Sequence, residues 1–173
     1  MKSLLAAAIF AALGFCAPTA AAPDPSAHAP TLARAPAVDN GPRGKYLLAI
    51  AGCNDCHTKG WDSSHGMLAT SEWLTGNDVG FRGPWGTTYP ENLRLSVQER
   101  GETAWITMIK SRQGLPPMPW ASVHALTDDD ARAVYEFIKS LGPKGVHAPA
   151  ALEAGVEPKT AYVVLTPRQP GVK

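Results

Sequence analysis

The chain has 173 residues, 45% of them apolar, with 16 lysines and arginines against 15 aspartates and glutamates. That balance excludes a wholly disordered chain and gives no basic footprint for nucleic acid, and three cysteines exclude a disulfide-dense scaffold. Sixteen prolines and sixteen glycines, about 18% of the chain, require much loop, turn or linker.

Lys2 precedes an apolar run from Leu4 to Phe15, and small residues follow at Thr19, Ala20, Ala21 and Ala22. This is the layout of a secretory signal peptide, so residues 1–22 are expected to be removed and the protein exported to the periplasm. The run of twelve residues is too short to span a bilayer, so the mature chain is expected to have no transmembrane segment. Leu13-Gly14-Phe15-Cys16 is a weak lipoprotein signal, because bulky Phe15 stands where such a site needs a small residue. Residues 23–40 follow, half of them Ala or Pro and without apolar periodicity, and they are expected to form an extended linker.

Gly41 to Ala51 is expected to be a helix with Tyr46, Leu47, Ile50 and Ala51 on its apolar face. It leads into Cys53-Asn54-Asp55-Cys56-His57, the cysteines that remain once Cys16 is removed with the signal. Three chemistries use such a pair. A thioredoxin-like redox motif needs a strand before it and a βαβ frame, whereas a helical pattern precedes this one. A structural zinc site needs two more ligands, and His57 with His65 would supply them at poor spacing. Covalent haem attachment needs two thiols to add across the vinyl groups and an adjacent imidazole to lie under the iron, which this spacing provides. A plain surface disulfide is the remaining alternative. The residues favour one covalently attached haem c, with Cys53 and Cys56 as attachment points and His57 as iron ligand.

Gly60 to Ser96 is rich in glycine and proline yet carries Trp61, Trp73 and Trp85, so something large and apolar, such as a porphyrin, is expected beneath these loops. Glu102 to Arg112 is a second expected helix, with Ala104, Trp105, Met108 and Ile109 apolar and Gly114 beyond its end. Leu115-Pro116-Pro117-Met118-Pro119-Trp120 holds Met118 in a stiff segment that cannot continue a helix. The last helix is the clearest: Thr127 caps it, Asp128 to Asp130 complement its dipole, and Ala131, Val134, Ile138 and Leu141 form one stripe before Gly142-Pro143. Tyr46 is expected to meet Val134 and Tyr135 where the first and last helices cross. Residues 143–173 are expected to be a Pro-rich, flexible tail with one possible extended piece at Tyr162 to Leu165.

Gly44-Lys45-Tyr46-Leu47 followed by Gly52-Cys53-Asn54-Asp55-Cys56-His57-Thr58 resembles the start of a mono-haem His/Met cytochrome c domain. Pro84-Trp85-Gly86-Thr87 through Asn92-Leu93, and Met118-Pro119-Trp120, resemble the haem domains in cytochrome subunits of bacterial membrane-bound alcohol and gluconate dehydrogenases. Those subunits usually carry three such domains, and this chain carries one. The resemblance covers residues 41–142. It implies an all-α cytochrome c fold of three to five helices around one haem, with an axial methionine opposite His57. Met118 is the expected ligand over Met67, Met108, His65 and His124. Arg82, Trp85 and Asn92 are the expected neighbours of the haem propionates.

The resulting expectation is a periplasmic carrier of single electrons with no catalytic residues of its own. Its partners would be redox proteins, a periplasmic or membrane dehydrogenase on one side and a downstream cytochrome or oxidase on the other. Two alternatives stand beside it: a fixed cytochrome subunit of a dehydrogenase complex, and a haem enzyme or sensor with an open distal site.

Overall fold

A computed structural model describes residues 40–167 and 170–171, which fall within one unit, Val38–Lys173. The expected signal peptide and linker lie outside the described residues. The described residues form six α-helices: α1 Gly41–Ile50, α2 Cys53–His57, α3 Leu93–Arg100, α4 Glu102–Ser111, α5 Trp120–His124 and α6 Asp128–Ser140. Three short strands join them, β1 Gly80–Gly83, β2 Gly86–Thr88 and β3 Tyr162–Val164. No helix among the described residues is long and apolar enough to cross a membrane.

The helices form for local reasons. Pro42 sits in the first turn of α1, where its missing N–H is not needed. The Thr127 hydroxyl accepts the backbone N–H of Asp130 at 3.1 Å, and three aspartates occupy the first turn of α6. At the other end of α6 the carbonyls of Leu141 and Gly142 accept from the guanidinium of Arg94, a buried residue of α3. An α6 end that would otherwise be orphaned is thereby closed by a different helix.

The core lies where α1, α3 and α4 pack on α6, and Leu48, Leu74, Val97, Ala131 and Ile138 are fully buried in it. The closest approach is α1 against α6 at Gly44. A side chain there would overlap the carbonyl oxygen of Ala133 and lie 2.7 Å from Phe137 Cβ. Tyr46 and Ile50, expected on this face, are instead 55% and 62% exposed, and Ala51 is exposed too. The buried face is Gly44, Leu47 and Leu48, so the helical period was right and its phase was not.

The expectation of an all-α domain needs a second correction. β1 and β2 form an antiparallel hairpin around Pro84-Trp85, and β3 adds in parallel to β1, giving the order β2-β1-β3. β1 and β2, of four and three residues, show no alternating pattern, which is why sequence periodicity missed them, whereas β3 falls within the extended piece expected at Tyr162 to Leu165. The C-terminal segment is therefore not a free tail. Besides β3, Leu152 bridges to Thr87, and Lys144 and Val146 accept hydrogen bonds from Asn92.

Candidate functional site

Cys53 and Cys56 stand one helical turn apart on α2, on the same side of the helix. Both are free thiols, and Cys53 packs against the core. Burial pushes the Cys53 thiol up to about 11, and burial with the charge of Asp55 raises Cys56 as well. Both remain protonated at neutral pH, the reverse of the lowered thiol that a redox-active Cys-x-x-Cys uses. The element before them is α1, a helix rather than the strand a thioredoxin frame requires. Among the described residues no group of three His, Cys, Asp or Glu side chains is gathered to hold a metal ion, and His65 is exposed, so the His57–His65 zinc set is not formed.

His57 is buried, and its Nδ1 lies 2.7 Å from the carbonyl oxygen of Glu91. Since a carbonyl only accepts, the proton is on Nδ1 and the lone pair on Nε2. Burial holds this imidazole below the ordinary histidine range. The arrangement fixes ring and tautomer and leaves one nitrogen ready to bind a metal.

The backbone around His57 is stitched to the segment that follows. Gly76 donates its N–H to the His57 carbonyl at 2.8 Å. Thr58 donates its hydroxyl to Asn54 Oδ1 at 2.7 Å and accepts the Leu74 N–H at 2.8 Å. Leu74 itself is fully buried with φ of 63°, a strained conformation for a residue with a side chain, held in place because its N–H and carbonyl are both engaged. Thr58, Leu74 and the Glu91 carbonyl all escaped the sequence reading. A backbone acceptor leaves no side-chain signature, and a strained leucine looks like any other.

Met118 is half-buried in the loop between α4 and α5. The Trp120 N–H donates to the Met118 carbonyl at 2.9 Å, and the Trp120 indole lies against Gly114 and donates to the Leu115 carbonyl at 3.3 Å. From outside the loop, the Thr88 hydroxyl donates to the Pro116 carbonyl at 2.7 Å. The competing methionines are placed otherwise. Met67 is 82% exposed, and Met108 packs against the core.

Arg82 and Trp85 share the β1–β2 hairpin. The Arg82 guanidinium pairs with Glu157, stands 3.4 Å from the Tyr162 hydroxyl, and is held above its usual range chiefly by Glu157. Among the described residues, the buried indole N–H of Trp85 has no partner, and the nearby buried hydroxyl of Thr87 has none either. Asn92 has a different task from the one the resemblance implies. Its Oδ1 caps α3 by accepting the N–H groups of Arg94 and Leu95, and its Nδ2 donates to the carbonyls of Lys144 and Val146. Both lone pairs and both protons of that amide are in use.

Two of the loop tryptophans rest on apolar surface. Trp61 meets Trp73 edge-on at 5.4 Å, and Trp73 lies 6.2 Å from Phe137 of α6, so each other and α6 lie beneath them. A cleft of about 410 Å3 between Arg82, Gly83, Pro84, Tyr162, Val164 and Thr166 is lined by none of the Cys-x-x-Cys-His side chains. Comparison with protein-family models, with curated proteins and with solved structures found no match to this chain.

Proposed function

We propose that this chain is a c-type cytochrome that carries one electron at a time on a single covalently attached haem. The observation that carries the reading is His57: a buried imidazole, oriented through Nδ1 by a backbone carbonyl, beside two free thiols one turn away on the same helix. Thioredoxin-like chemistry is disfavoured by the raised thiols and the preceding helix, and zinc by the missing ligands.

The residues present fit a haem. Cys53 and Cys56 would hold it through thioether bonds, and His57 Nε2 would ligate its iron. The unpartnered N–H of Trp85 and hydroxyl of Thr87 are buried donors that call for an acceptor, which a haem carboxylate supplies. When bound, the haem provides an iron that cycles between ferrous and ferric states. The chain's own work is to fix the two axial ligands and keep water away, so that little reorganises when the charge changes. Met118 would supply the iron's other protein ligand: a soft thioether on a loop anchored by Thr88, whereas Met67 is exposed and Met108 is engaged in packing. With both His57 and Met118 on the iron, no coordination site would be left for a substrate, which suits a carrier between redox proteins.

Met118→Ala in the holoprotein tests this. The variant should become high-spin and bind carbon monoxide in the ferrous state, Met118→His should stay low-spin at a lower midpoint potential, and Met108→Leu should leave ligation unchanged. A Met118→Ala protein that stays low-spin with the parental potential would overturn the assignment.

A further inference from the structure

The C-terminal segment returns over the β1–β2 hairpin and grips it at several points. Its start is fixed where Asn92 Nδ2 donates to the Lys144 and Val146 carbonyls at 2.8 and 3.0 Å, and where Lys144 pairs with Glu72 at 2.5 Å. Thr87 and Leu152 then exchange backbone hydrogen bonds of 2.9 and 2.8 Å. Gly86, with φ of 106°, stands where any side chain would collide with the Leu152 carbonyl, so the segment can come this close only over a glycine. Finally β3 pairs with β1 from Gly80↔Tyr162 to Arg82↔Val164, Leu165 donates to the Arg82 carbonyl at 2.7 Å, and Glu157 and Tyr162 hold the Arg82 side chain. β2 is thereby paired on one side with β1 and on the other, at Thr87, with Leu152.

At the end of β2, Thr88 reaches across to the Met118 loop through its 2.7 Å bond to the Pro116 carbonyl. Prolines 116, 117 and 119 have no N–H, so each of them offers the backbone only a carbonyl acceptor. Thr88 supplies that anchor from a hairpin which the C-terminal segment holds in place.

We infer that residues 144–165 form a brace that sets the Met118 loop, with Thr88 as the positioning residue that transmits it. This rests on Met118 being an iron ligand. An iron–thioether bond is weak enough that the loop carrying the sulfur decides how often it opens. With the brace intact, Met118 stays on the iron and the distal side stays closed. Without it, the loop loses the anchor that the Thr88 hydroxyl gives the Pro116 carbonyl from outside the loop.

The test compares full-length holoprotein with Thr88→Val, which keeps shape and removes the hydroxyl, with Thr88→Ser, which restores it, and with a chain ending at Pro149. The readouts are the rate of carbon monoxide binding to ferrous protein and the pH at which ferric protein loses its methionine–iron absorption. Thr88→Val should bind carbon monoxide roughly fivefold faster than the parent, the weight of about one net hydrogen bond on the opening equilibrium, and should lose methionine ligation at a lower pH. Thr88→Ser should match the parent, and the shortened chain should exceed Thr88→Val on both readouts. The inference is overturned if Thr88→Val behaves as parent and Thr88→Ser do, or if the shortened chain keeps the parental values. Should the shortened chain fail to accumulate, the Val and Ser pair decides. Parent protein that binds carbon monoxide freely, or carries no covalent haem, would overturn the functional reading itself and the brace with it.

Discussion

The Nδ1 atom of His57 lies 2.7 Å from the carbonyl oxygen of Glu91, a contact across 34 residues of chain that fixes which nitrogen of a buried imidazole is protonated. Glu91 is held in turn by its neighbours: Pro90 accepts the Asn77 N–H at 3.1 Å, and Asn92 begins α3. The ring is therefore oriented by a backbone group of the fold, which is the usual means of making a histidine a strong and well-aimed ligand.

From this contact, His57→Gly in the holoprotein should remove the proximal ligand and leave a gap of imidazole size. Low-spin absorption should be lost, and millimolar free imidazole should restore it. A His57→Gly spectrum unchanged from the parent would show that another residue ligates the iron.

Gly44 sets the distance between α1 and α6, and even a methyl group there would overlap the Ala133 carbonyl. Gly44→Ala should destabilise the fold by about 1–3 kcal/mol, the range for overpacking a tight interface. Urea unfolding of the holoprotein measures this. Tyr46→Ala, at a 55% exposed position on the same helix, should change stability by much less.

Asn92 joins α3 to the start of the C-terminal segment through four hydrogen bonds. Asn92→Ala removes a helix cap and leaves carbonyls without a partner, which together amount to about 2–4 kcal/mol. Asn92→Asp retains the cap acceptor and loses both donated bonds. It should fall between parent and Asn92→Ala in thermal unfolding, and hydrogen exchange should rise first in residues 144–165.

Several surface carboxylates titrate below their ordinary range. Lys144 lowers Glu72, Lys110 lowers Asp128 and Arg43 lowers Asp130, each chiefly through a hydrogen bond, and for Glu157 the Tyr162 hydroxyl leads with Arg82 next. A carboxyl whose folded pKa is depressed binds fewer protons folded than unfolded at intermediate pH. Its contribution is thus present above the ordinary carboxylate value, about 4, and is lost as pH falls through and below it. Stability should hold between pH 6 and 8 and decline below about pH 4–5. Because these pairs are exposed, molar salt should weaken the contribution at neutral pH. An acid-insensitive melting temperature between pH 7 and pH 3 would contradict the account.

The legible parts of this molecule are those whose determinants are close in sequence. The Thr127 cap and the stripe from Ala131 to Ile138 located α6, and the spacing of Cys53, Cys56 and His57 put three reactive side chains on one turn. The phase of α1 was misread because the residue that governs its packing, Gly44, has no side chain to count as apolar. The sheet was missed because β1 and β2 are short and β3 joins them from some eighty positions away, Gly80 opposite Tyr162. Arg82 and Asn92 were singled out from the right region, but their partners Glu157, Lys144 and Val146 belong to a segment whose Pro-rich composition reads as a flexible tail outside Tyr162 to Leu165. Pro-rich chain carries few backbone donors and no periodicity, yet it is ordered when other elements bring hydrogen bonds to its carbonyls, as Asn92 and Thr87 do here.

The optical spectrum of the purified mature protein, recorded oxidised, reduced, reduced with carbon monoxide and in alkaline pyridine, tests the central claim most directly. The account predicts one haem with saturated vinyl groups that stays with the polypeptide through acid-acetone extraction. It predicts low-spin bands in both oxidation states and only slow carbon monoxide binding to the ferrous protein at neutral pH. Protein produced alongside a working cytochrome maturation system that shows no haem absorption would contradict it, with Cys53 and Cys56 still titrating as free thiols.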